Sequence, residues 1–230
     1  MSLRGKTVLI TGATGTIGRP IVEACSRAEA TLAITTRRLA DTLEMERELL
    51  RRGINAVILP CDLRYEEDVI RLVHRLAQRF GRIDAVINAA IIAGPRLSTV
   101  DYPVDPWRDV MATNVTGTFL VCREVLPWMV RQGSGSIINV TDSLAGARGD
   151  KSAAYALSMQ TVDHLTRLLA GEVKNSGVRV NAVDIGQLSP AARRREGGAD
   201  WRGPFLWLAG DDSTNVTGRR IQAKGFVKTT

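Results

Sequence analysis

A three-layer α/β fold, with a doubly wound parallel sheet of about seven strands, is what the sequence predicts. Three observations predict it. Short β-branched runs alternate with helical segments from end to end. The strand segments are continuous apolar runs, as a sheet covered by helices on both faces requires. A Gly-rich turn, Thr11-Gly12-Ala13-Thr14-Gly15-Thr16-Ile17-Gly18, lies between the first strand and the first helix.

The elements follow in order. Lys6 to Thr11 is a β-branched run ending in Gly. Pro20 to Ala28 reads as a helix with Pro near its first turn. Thr31 to Thr36 is the second strand, and Asp41 to Arg52 a charged helix with Leu43, Met45 and Leu49 among its apolar positions. Ala56 to Pro60 is the third strand. In Glu66 to Phe80, Val69, Leu72, Val73, Leu76 and Phe80 recur at helical spacing, so this segment buries one stripe. Ala85 to Asn88 is the fourth strand, followed by a long apolar helix at Val115 to Arg131. Ser136 to Val140, a helix at Ala153 to Lys174, Arg179 to Val183, and a seventh strand at Arg220 to Ala223 complete the set. Strict alternation means crossover connections and parallel pairing. No linker or repeat interrupts the chain, so one domain over residues 1–230 is expected, with 191–203 a short, irregular, polar and Gly-rich substrate loop.

Composition excludes several classes. With 44% hydrophobic and 24% charged residues among 230, the chain is neither disordered nor collagen-like. No apolar run reaches the roughly 18 residues of a membrane span. The segment Met1 to Lys6 has no apolar signal core, so a cytoplasmic location is expected. Cys25, Cys61 and Cys122 are odd in number and widely spaced, unlike a disulfide framework or a zinc site. His74 and His164 stand singly on helices, which argues against a metal site. The net charge is +7, yet apart from Arg37-Arg38 and Arg193-Arg194-Arg195 the basic residues are scattered, and aromatics are only 5%. That pattern fits a solvated basic surface favouring phosphorylated small ligands over a nucleic-acid face.

The Gly-rich turn has the context a diphosphate site needs. Gly12 and Gly15 permit a tight turn and close backbone approach, and Gly18 lets the helix pack on the sheet. The free N–H groups of the helix N-terminus then face an anion. An acidic residue about 20 positions on would bind a ribose 2′-hydroxyl. Here the second strand runs instead into Arg37 and Arg38. Two guanidiniums attract a 2′-phosphate and can grip it bidentately, so NADP(H) is expected over NAD(H).

From here the residues carry a family resemblance. The ordered set comprises Thr11 to Gly18, Cys61-Asp62-Leu63, Ile87-Asn88-Ala89-Ala90, Asn114, Ile138-Asn139-Val140, Tyr155, Arg179 to Val183, and Val216-Thr217-Gly218. With it the chain resembles a short-chain dehydrogenase/reductase over nearly its whole length. The resemblance implies a single-domain Rossmann fold and a bound nicotinamide dinucleotide. It places Asp62, with Leu63, at the adenine edge, and Asn88, with Ala89, along the cofactor backbone. It places Gly186 at the nicotinamide amide. Thr14, Thr16 and Ile17 join the three glycines around the diphosphate. Such proteins commonly pair two long helices across a dimer axis, so a homodimer or homotetramer is implied.

The departures concern the chemistry. Thr16 stands where the family usually has glycine, and Gly15 carries that role. The family's reaction uses a tyrosine acid/base, Tyr155 here, and a lysine four residues later. That position is Met159. An unperturbed tyrosine has a pKa of about 10, far from the neutral value suited to proton transfer, and a thioether supplies no charge to stabilise a phenolate. Lys151, four residues before Tyr155, is a conceivable substitute. The family's serine position falls on Asp142, next to Ser143. Either Asp142 orients the substrate, as in the pteridine-reductase-like branch, or Ser143 swings in, or both are loop residues. Asn114 matches the asparagine that in the family holds a water through a helix distortion, although a helix N-terminus also suits Asn. Asp184-Ile185-Gly186 replaces the usual Pro-Gly after the sixth strand, and the following segment is short for the family's substrate-covering helices. The expectation is an oxidoreductase moving hydride between NADP(H) and a carbonyl or alcohol small molecule, with Tyr155 handling the proton. The alternative is a catalytically impaired NADP(H)-binding member acting as a sensor or scaffold subunit, motivated by Met159, Asp142, the lost proline and the short segment.

Overall fold

The structure, a computed structural model, describes residues 1–143, 152–186 and 201–228. Lys151 and most of the expected 191–203 loop lie outside the described residues. Seven parallel strands form one sheet: β1 (Thr7–Thr11), β2 (Thr31–Thr36), β3 (Ala56–Pro60), β4 (Ala85–Asn88), β5 (Gly135–Thr141), β6 (Val178–Asp184) and β7 (Arg220–Gln222). Their order is β3-β2-β1-β4-β5-β6-β7. β1 lies between β2 and β4, with Val8 opposite Leu32 on one side and Ala85 on the other. The strand order reverses there, at the junction where doubly wound sheets open a crevice at their carboxyl ends.

The period-2 alternation of β1 sorts the core into two layers. Val8 and Ile10 face one layer, built with α1 (Gly18–Arg27) and α2 (Leu39–Arg51). Leu9 faces the other, built with α3 (Glu66–Phe80). α3 shows why the sequence signal was clear. Glu66, Glu67 and Asp68 in its first turn oppose the helix dipole favourably. Val69, Leu72, Val73 and Leu76 bury one stripe, and Gly81 ends the helix in the left-handed region.

The long apolar helix begins earlier than the expected Val115. α4 (Val104–Met111) leads into a π-helical turn (Ala112–Gly117), and α5 (Thr118–Gln132) continues from it. Asn114 therefore sits inside a helix, not at its N-terminus. α6 (Ala153–Glu172) crosses to β6. Of the expected 191–203 loop only the last three residues are described. Trp201 and Arg202 are buried, and Gly203 opens α7 (Gly203–Ala209), whose Phe205 and Leu208 enter the first core layer. A 3-10 turn (Asp211–Ser213) follows. Among the described residues no helix is long and apolar enough to cross a membrane.

Candidate active site

A cavity of about 440 Å³ opens at the carboxyl ends of β1 to β4. Its walls combine Gly12, Thr14 and Gly15 from the first turn, Thr35, Arg37 and Arg38 at the end of β2, Cys61 to Leu63 after β3, and Ala89 to Ile92 after β4. Thr113 of the π turn closes one end. Of the sequence-expected cofactor residues, Gly12, Thr14, Gly15, Arg37, Arg38, Asp62, Leu63 and Ala89 meet here. Thr16, Ile17, Gly18, Asn88 and Gly186 are not in this wall.

Each absence has a local reason. Ile17 and Gly18 are buried, packing α1 on the sheet, while Thr16 is exposed. Asn88 is buried and donates through Nδ2 to Asn139 Oδ1 at 2.8 Å. Asn139 in turn donates to Thr166 at 2.9 Å, so Asn88 belongs to a polar chain under the sheet. The Gly186 N–H donates to Asp184 Oδ1 at 2.9 Å.

The first turn fits a dinucleotide diphosphate. Gly12 has φ +67, and a Cβ there would fall 2.5 Å from the Ala90 Cα. A Cβ on Gly18 would fall 2.2 Å from the Gly12 carbonyl oxygen. The turn thus lies against the loop after β4 with no room for side chains, and Thr14 and Gly15 are left exposed toward the cavity. Thr11 fixes the same junction, its Oγ1 accepting the N–H of Ala89 at 3.2 Å and of Ala90 at 3.3 Å.

Charged pairs stand at the end of the cavity that Cys61 and Asp62 line. Arg64 grips Asp62 with Nε and Nη2, at 3.0 and 2.7 Å, and reaches Asp109 at 2.8 Å. Burial pushes the Asp62 carboxyl up, but the hydrogen bonds from Arg64 outweigh it and hold it below the usual carboxylate range. Burial raises the Cys61 thiol to about 12, with Asp68 and Asp62 adding to the effect. Arg19, beside the turn, pairs with Glu48 at 2.5 Å.

The reacting groups expected from the sequence lie at the carboxyl ends of β5 and on α6. The Tyr155 hydroxyl donates to Asp142 Oδ2 at 3.1 Å. The Ser143 backbone N–H donates to Asp184 Oδ1 at 3.0 Å. Met159, one turn on from Tyr155, is 1% exposed, so a neutral thioether fills that position. Asn114 accepts the Ile92 N–H at 2.9 Å and donates to both the Ile92 carbonyl and Ser158 Oγ, each at 2.9 Å. Ser158 donates on to the Tyr155 carbonyl at 2.8 Å. The π turn therefore ties the cavity wall to the helix that carries Tyr155.

Sequence reasoning missed Ser158, Arg64, Asp41 and Asp184 as site residues. Ser158 alone had an available signal, sitting one helical turn after Tyr155 on the same face.

Comparison with known proteins places this geometry. Residues 6–199 match the family described as short chain dehydrogenase. L-fucose dehydrogenase of Oryctolagus cuniculus is 34% identical over 185 residues, 80% of this chain and 63% of that protein. The chain thus matches less than two thirds of that relative's length. The 3-oxoacyl-(acyl-carrier-protein) reductase FabG of Thermotoga maritima is 31% identical over 246 positions, covering 98% of each chain. That alignment is longer than this chain, so the relative has positions without a counterpart here. Among solved structures, an NAD+-bound xylitol dehydrogenase superposes with TM-score 0.84 at 28% identity, covering 96% of this chain and 98% of its own. A short chain dehydrogenase from Shigella flexneri 2a, complexed with NADP, gives 0.83 at 26% identity, covering 96% and 98%. On fold, turn and sequence together, the chain belongs to the short-chain dehydrogenase/reductase family of oxidoreductases.

Proposed function

We propose that the chain binds NADP(H) in the cavity described above and interconverts a carbonyl and an alcohol on a small molecule. The observation that carries this reading is the cavity itself, walled at one end by the Gly12–Gly15 turn and at its ribose corner by Arg37 and Arg38. The glycines present backbone N–H groups to a diphosphate. The two guanidiniums suit a 2′-phosphate. A nicotinamide dinucleotide held there would supply hydride chemistry toward a carbonyl carbon, or the reverse. Tyr155, whose hydroxyl Asp142 holds in the resting site, would turn that proton to the carbonyl oxygen and regain one from solvent. Asn114 and Ser158 hold the backbone that presents Tyr155.

A second reading rests on Met159. The buried thioether leaves no cation at the family's lysine position, which fits an impaired member that binds NADP(H) as a sensor or scaffold subunit. The relatives named above are all enzymes by name, which weighs toward catalysis.

Calorimetric titration with both dinucleotides, then NADPH oxidation over a carbonyl panel, tests both readings. Tighter NADPH than NADH binding, lost in Arg37→Ala, is expected. Tyr155→Phe is expected to lower kcat at least about 100-fold at unchanged dinucleotide affinity. A silent native protein that gains turnover in Met159→Lys would establish the sensor or scaffold reading instead.

A further inference from the structure

The ribose corner holds carboxylates as well as guanidiniums. Asp41, in the first turn of α2, lines the same cavity as Arg37 and Arg38, and so does Glu44. Arg38 places both Nε and Nη2 on Asp41, at 3.1 to 3.2 Å and 2.7 Å. That two-nitrogen edge is the one a guanidinium offers to a phosphate in a bidentate grip. Arg38 is 69% exposed and Asp41 only 20%, so the carboxylate is set into the wall while the guanidinium lies out over it. The backbone here is fixed independently: Thr42 Oγ1 donates to the Arg38 carbonyl at 3.3 Å and bonds the Thr36 hydroxyl at 2.6 Å. Arg37, also exposed, forms no ion pair within 4 Å among the described residues, although its charge is felt by Asp41 and Asp62.

We infer that Asp41 sets the selectivity between phosphorylated and unphosphorylated dinucleotide by competing with a ribose 2′-phosphate for Arg38. The inference rests on the NADP(H) reading above. A 2′-phosphate entering the corner meets Arg37 directly, but takes the bidentate edge of Arg38 only by displacing Asp41. Until then it lies close to a like charge. A plain ribose brings no dianion, so its binding is indifferent to that exchange. Asp41 therefore holds the preference for NADP(H) below what two arginines would otherwise give.

The test measures dissociation constants of NADPH and NADH for the native protein and Asp41→Asn by calorimetry. Adenosine 2′,5′-bisphosphate and 5′-AMP serve as minimal probes. Asp41→Asn is expected to tighten NADPH and the bisphosphate about five- to tenfold at low salt. The gain should shrink at 0.5 M salt, and NADH and 5′-AMP should move less than twofold. Asp41→Ser should behave alike, which guards against a defect special to one variant. Weaker NADPH binding, equal changes in both dinucleotides, or selective loss of NADH would each overturn the inference. Arg37→Ala and Arg38→Ala separate its failure from that of the underlying reading. If neither arginine variant moves NADPH affinity, the phosphate corner itself is lost. If they weaken NADPH and Asp41→Asn gains nothing, only the role of Asp41 is lost.

Discussion

Gly12 carries the tightest constraint in the cavity wall. Its φ of +67 and the 2.5 Å approach a Cβ would make to Ala90 act together. Gly12→Ala is expected to cost about 1–3 kcal/mol of stability through backbone strain and displacement of the loop after β4. Dinucleotide affinity should fall with it, and denaturant melts beside calorimetry check both. At this scale the sequence was most legible where chemistry leaves a local mark. The glycine spacing, Arg37-Arg38 and Tyr155 could be read singly, and Met159 was visible as a departure. Asp41, Arg64 and Asp184 were not, because each acts through a partner. Nothing local distinguishes a carboxylate that grips a guanidinium in a cavity wall from one that is merely solvated. The resemblance offered Asp62 as an adenine contact, yet it could not show that Arg64 already holds both its oxygens.

Strand β6 ends in an acidic knot. Asp184, fully buried, accepts the N–H groups of Ser143 and Gly186 and the Gln222 side chain at 2.8 Å, so one carboxylate joins the ends of β5, β6 and β7. Burial pushes its pKa up, but those hydrogen bonds win and hold it below the usual carboxylate value. A group depressed in the folded state stabilises above its unfolded pKa of about 4 and loses that contribution as pH falls through its folded value. Asp184→Asn is therefore expected to be less stable than the native protein at neutral pH. The gap should narrow as pH drops below 4, as denaturant unfolding from pH 7 to 3 would show. The strands and the other long helices were legible to within a residue or two because their apolar runs and stripes are continuous, whereas the start of the helix expected from Val115 was not. α4 and α7 were missed for opposite reasons. α4 buries only Val110 and so shows no stripe, whereas α7 is buried almost throughout and seven residues long, too short for a helical period to emerge.

Across the whole molecule, the helices of the second layer turn apolar side chains outward. Phe119 on α5 and Leu157 and Leu168 on α6 are 41%, 52% and 52% exposed. We propose that these helices meet a second copy of the chain, giving a homodimer or homotetramer. Light scattering is expected to report a multiple of the chain mass, falling to the single-chain value in a Phe119→Glu, Leu157→Glu double variant. A native protein at single-chain mass would remove the proposal. The π turn reaches this scale too, because it lies between the cavity wall and the helix that carries Phe119. A π turn holds one residue more than an α turn, so removing one residue between 112 and 117 would leave a regular helix. Phe119 would keep its outward bearing, and Val121, Cys122 and Val125 the core they fill. What would go is the bulge from which Asn114 reaches Ile92 and Ser158, so the inner wall could be altered while the outward apolar surface stayed as it is.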